Sequence, residues 1–133
     1  MRHLCTAALC LYLVPMQVLA CWWHDDQNSL FFETIPDLQP DAGVIARVAL
    51  LNVTDHGTAT AKVLQVLKTS DESIRQGTIV TMSYVVTSCG PSPANSTEGT
   101  IIANTGSDKE NRLVLYPYLR SRGGRITFPS QLE

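Results

Sequence analysis

The sequence predicts an all-β fold: a five-stranded, OB-like Greek-key barrel with at most short helices. Three observations carry this. Five short segments between Gly43 and Leu119 have strand composition or period-two alternation. Turn signals separate them at Asp55-His56-Gly57, Ser70–Gly77, Cys89-Gly90-Pro91 and Gly106–Asn111. Valine and threonine recur in Thr58–Lys68, and these pack well on a pleated surface.

The chain opens Met1-Arg2-His3, runs largely apolar through Leu4–Ala20, and then reads Cys21-Trp22-Trp23. A basic start, an apolar stretch and a small residue before the break describe an export signal. The stretch is too short and wrongly flanked for a membrane span. Residues 1–20 are therefore expected to leave, and residues 21–133 to form one domain, secreted or extracytoplasmic (periplasm or cell envelope if the source is bacterial). The polar run His24–Asn28 follows, then apolar Leu30-Phe31-Phe32. A short helical turn over Ser29–Ile35, capped by Ser29, is ended by Pro36.

Val44–Val53 reads as a long strand and Thr58–Lys68 as its return. Lys62, Gln65 and Lys68 interrupt the apolar residues of the return segment at a spacing that also fits a helix. The β-branched content and the hairpin context favour a strand. Thr78–Val86 alternates, and Cys89-Gly90-Pro91-Ser92-Pro93 ends it. Thr100–Ala103 is a short apolar strand. Arg112–Leu119 is the fifth, at an edge or with a bulge at Pro117, because proline cannot donate to a ladder. Arg120–Arg125 is a basic, glycine-rich loop, and Ile126–Phe128 adds a last short strand. Val44, Val48, Leu50, Val63, Val80, Met82, Ile101 and Leu113 are expected in one core.

Ten Lys+Arg against twelve Asp+Glu give a net charge of −2. There is no basic stripe, so nucleic acid is not an expected partner. No Gly-x-Ser-x-Gly elbow, phosphate loop, Cys-x-x-Cys or His-x-x-x-His pair is present. No nucleophile has a base and an orienting group converging on it, so an enzyme is not expected. His24-Asp25-Asp26 has metal-ligand chemistry without a partner ligand, and a solvated polar segment is the default. His56 reads as an exposed turn residue. Trp22-Trp23 is either a binding hot spot or a pair of rings packed on the barrel. Asn52-Val53-Thr54 and Asn95-Ser96-Thr97 match the glycosylation acceptor triplet.

Once the leader with Cys5 and Cys10 is removed, Cys21 and Cys89 remain. Two readings of Cys21 stand open. An even count in an exported chain favours a disulfide, which closes a long loop and stabilises by about 4 kcal/mol on the chain-entropy model. Alternatively, Val18-Leu19-Ala20-Cys21 is a lipoprotein box, and Cys21 anchors the protein to a membrane. The second reading makes the chain a lipid-anchored cell-envelope protein with an interaction role of its own.

In this order the segments resemble the netrin-like domain, and particularly the N-terminal domain of tissue inhibitors of metalloproteinases. The resemblance runs from a mature chain starting at Cys21, through Ala42-Gly43-Val44-Ile45-Ala46-Arg47-Val48 and Thr60–Lys68, to Ser88-Cys89-Gly90, Gly99–Ala103 and Arg112–Tyr118. It implies an OB-fold barrel and a binding module that inhibits a zinc metalloprotease, with no cofactor of its own. In the family the α-amino group and carbonyl of the first cysteine chelate the protease zinc, and the second residue enters the specificity pocket. The first cysteine is bridged to the cysteine of the Cys-Gly pair. Carried over, Cys21 is the chelator, Trp22 the pocket residue and Cys89 the anchor, with Ser88 and Gly90 beside it on the reactive edge. The chain departs from the family at Trp23, where the inhibitors carry a second cysteine, and at Leu115–Tyr118, which offers that cysteine no partner.

Overall fold

A computed structural model describes residues 28–37, 42–127 and 129. Among the described residues there are eight strands and no helix. They are β1 (Asn28–Ser29), β2 (Val44–Val53), β3 (Thr58–Thr69), β4 (Ile79–Ser83), β5 (Glu98–Ser107), β6 (Leu113–Pro117), β7 (Leu119–Ser121) and β8 (Ile126–Thr127). Strands β2-β3-β4-β6-β5 close into a barrel, with β5 returning to pair β2. Every barrel pair is antiparallel except β4–β6, which is parallel and joins only Thr81–Val114 and Met82–Leu115. This is the all-β, OB-like barrel expected from the sequence. A separate three-stranded sheet, β1-β7-β8, lies beside it.

Alternation decides what fills the barrel. Val44, Ala46, Val48 and Leu50 of β2 are fully buried, while Arg47 between them is exposed. Val63, Met82, Ile101 and Leu115 complete the interior from four other strands. Burying each large apolar side chain stabilises by about 1.5–3 kcal/mol. Seven of the eight expected core residues are buried. Leu113 is half-buried and packs against the same cluster. A second, smaller cluster of Phe32, Ala42, Ile102 and Tyr118 covers the outer face of β5. Ile101 and Ile102 are consequently both inaccessible, one inside the barrel and one beneath that layer.

The spacing that mimics a helix in β3 has a sheet explanation. Arg47 opposes Gln65 and Val48 opposes Val63, so Leu64 is an extra residue. Ala46 opposes Val66 and Ile45 opposes Lys68, so Leu67 is another. Two bulges three residues apart turn the outward face into a period of three, carrying Lys62, Gln65 and Lys68. Bulges also increase local twist, which a twelve-residue strand serving two neighbours in a small barrel needs.

Several expectations are corrected: the strand expected over Thr78–Val86 ends at Ser83, the one expected over Arg112–Leu119 divides into β6 and β7, and Arg120-Ser121 belongs to β7 rather than to a loop. Ser29–Ile35 forms no helical turn. Ser29 pairs with Arg120, and the Phe32 amide donates to the Thr100 carbonyl at 2.9 Å, so these backbone groups bond to β7 and β5 instead of to a helical turn. The strand expected at Thr100–Ala103 runs from Glu98 to Ser107. Pro117 ends β6, paired to Ala103 of β5 beyond the last residue that β4 reaches. At that point β6 is an edge, where a missing N–H costs nothing. Phe128, proposed for the last strand, lies outside the described residues.

Candidate functional site

The Thr87–Gly90 turn follows β4 and carries Ser88, Cys89 and Gly90, the residues expected at a reactive edge. The Thr87 amide donates to the Gly90 carbonyl at 2.9 Å, and the Gly90 amide returns a bond to the Thr87 carbonyl at 3.0 Å. The Thr87 hydroxyl also donates to the Gly90 carbonyl at 3.0 Å and accepts from the Cys89 amide at 3.3 Å. Ser88 is exposed at the tip, and Cys89 and Gly90 are half-buried. Cys89 is disulfide-bonded. The chain's other cysteines, Cys5, Cys10 and Cys21, lie outside the described residues, as do Trp22, Trp23 and His24–Asp26.

Strand β1 closes on this turn. The Asn28 amide donates to the Cys89 carbonyl at 3.2 Å. Gly90 has φ of +115°, a conformation that L side chains rarely adopt. A Cβ there would stand 2.8 Å from the Asn28 carbonyl oxygen. Glycine is thus required twice over, for its backbone conformation and for the approach of β1. Phe31 uses a second gap, because a Cβ at Gly99 would stand 2.3 Å from its ring. Strand β1, Asn28–Ser29, is thereby fixed against the Cys89 turn on one side and β7 on the other.

These contacts border an open groove of about 770 Å³. Asn28, Ser29, Cys89, Pro91, Arg120 and Arg122 are among its lining residues. Cys89 and Gly90 are legible in the sequence, whereas Arg120 and Arg122 stand there only as part of a basic loop. Their alternate spacing on either side of Ser121 was the available signal. A second cavity of about 790 Å³ lies beside the Asp55-His56 turn and is lined by Tyr84, Val85, Val86 and Tyr116. His56 is exposed at its margin, as expected of a turn residue. Tyr84 is buried, its hydroxyl has no hydrogen-bond partner among the described residues, and burial pushes its phenol above the ordinary value.

Asn52 and Asn95 are both exposed. The Val53 amide donates to Asn95 Oδ1 at 2.7 Å, which brings the two acceptor triplets side by side. Among the described residues no group of three or more His, Cys, Asp or Glu side chains is placed to hold a metal ion. Compared with known proteins, the chain matches no family model, no curated protein and no solved structure.

Proposed function

We propose that the chain is an exported, netrin-like binding module whose working edge is the Thr87–Gly90 turn together with the N-terminal segment at Cys21. The observation that supports this most is the seating of β1 on the turn: Asn28 bonds to Cys89 and leaves no room for a side chain at Gly90. A disulfide from Cys21 to Cys89 then continues that attachment to the first residue of the mature chain. An N-terminus held in this way loses little freedom on binding, which favours affinity.

On this reading the partner is a zinc metalloprotease. The α-amino nitrogen and carbonyl oxygen of Cys21 bind the protease zinc in place of its catalytic water. Trp22 enters the neighbouring specificity pocket, and Ser88 and Gly90 flank the contact. The amine must be neutral and unblocked, so the mechanism depends on a mature chain that begins at Cys21.

Inhibition assays against a zinc-protease panel test this. Protein beginning at Cys21 is compared with protein carrying one extra residue before it. The extension is expected to abolish inhibition with an unchanged melting temperature. Equal inhibition by both forms rules out chelation. Inhibition by neither overturns the inhibitor reading and leaves a binding module with another partner.

A further inference from the structure

The β7–β8 hairpin concentrates positive charge that forms no ion pair among the described residues. From Asn111 to Leu132 the sequence holds no aspartate or glutamate, yet it carries Arg120, Arg122 and Arg125 in six residues. The ion pairs among the described residues are made by Arg47 and Arg112, and none involves the hairpin. The Ser121 amide donates to the Arg125 carbonyl at 2.8 Å, and the Arg125 amide donates to Ser121 Oγ at 3.0 Å. This fixes the tight turn between the arginines.

Arg120 and Arg122 both line the groove of about 770 Å³ between β1 and the Pro91–Pro93 segment. The Nε of Arg120 is buried and has no hydrogen-bond partner among the described residues. A buried guanidinium N–H left unsatisfied is costly, and native structures normally answer it. Glu98 is the one acid among the described residues lining this groove, and it already accepts from Arg47 at 3.2 Å on the barrel wall. Among the described residues the groove therefore has two guanidinium groups and no carboxylate committed to them.

We propose that this groove is an oxyanion site, in which Arg120 and Arg122 hold a carboxylate, phosphate or sulfate group carried by a ligand. Guanidinium groups match the spacing of two oxygens on a planar carboxylate or a tetrahedral phosphate or sulfate and bind them through paired N–H donors. Arg120 offers the terminal NH2 groups of its guanidinium from the groove wall while its Nε stays buried behind them, and exposed Arg122 closes over the charge from the turn. The site is independent of the zinc-protease reading, since neither arginine takes part in that chelation.

Titration of the ¹⁵N-labelled full chain with inorganic phosphate and, separately, with succinate tests the proposal. Saturable shifts are expected at the Arg120 Nε–H and at the Ser121 and Arg122 amides. Response to phosphate alone assigns a phosphoryl or sulfuryl ligand, response to succinate alone a carboxylate ligand, and response to both a general oxyanion site. Arg122→Gln lies on an exposed turn and should weaken binding about tenfold, the loss of one charged hydrogen bond. Arg120→Lys keeps the charge but loses the fork, and should weaken binding similarly. Glu98→Gln should tighten it by removing a like charge from the groove. No saturable shift with either anion, or affinities unchanged in Arg122→Gln and Arg120→Lys, overturns the proposal.

Discussion

The Asn28 carbonyl oxygen lies 2.8 Å from where a Cβ of Gly90 would stand, and the Asn28 amide donates to the carbonyl of neighbouring Cys89 at 3.2 Å. One residue of β1 thus grips the turn by a hydrogen bond and by close backbone contact. This joins the N-terminal segment to a loop more than sixty residues along the chain.

Gly90→Ala should therefore loosen β1 as well as destabilise the fold. The new methyl group meets the Asn28 carbonyl, and the φ of +115° is strained for any L side chain. Denaturant unfolding should show a loss of about 1–3 kcal/mol. Hydrogen exchange at Asn28 should accelerate more than exchange at Val48 in the barrel.

Tyr84→Phe should stabilise the protein. The hydroxyl is buried without a partner among the described residues, and removing it ends a desolvation cost of about 1 kcal/mol. Burial also raises the phenol above its ordinary value of 10.0. The folded state holds the proton more tightly than the unfolded chain. The associated stability is complete below the unfolded value and is lost as pH rises through the folded one. Urea midpoints measured from neutral to strongly alkaline pH should fall above pH 10 in the parent protein, and fall less in Tyr84→Phe.

Asp108→Asn should remove an acid-sensitive component of stability at the β5–β6 turn. The Asp108 carboxylate accepts from the Arg112 and Glu110 amides at 2.9 Å each and from Arg112 Nε at 2.8 Å. Its pKa is held below the ordinary value, chiefly by the Arg112 amide, with partial desolvation opposing. A depressed carboxylate stabilises above its unfolded value, and that contribution disappears as pH falls through the folded one. Thermal melts should show the variant less stable at neutral pH, with a shallower decline below pH 4.

The barrel was legible where local pattern and burial coincide. Val44–Leu50 alternates in the sequence because one side faces the interior, and the expected core followed from that. The extent of β5 was not legible. Thr105-Gly106-Ser107 carries no apolar signal, since its ladder partners on β6 and the ring of Tyr116 across Gly106 come from elsewhere in the chain. The parallel β4–β6 seam leaves no local trace for the same reason. Of the candidate site, Cys89 and Gly90 stood out because cysteine and glycine report special chemistry and backbone. The groove did not, because β1 is a two-residue strand whose position depends on Arg120, Ser121 and Cys89.

The attachment of the mature N-terminus to the Cys89 turn is the central claim, and non-reducing peptide mapping of the exported protein, with intact mass, tests it most directly. The account predicts a chain that begins at Cys21 with an unmodified amine, and a disulfide-linked peptide pair containing Cys21 and Cys89. A lipid-modified Cys21, a retained leader, or Cys89 linked to any other cysteine would contradict it.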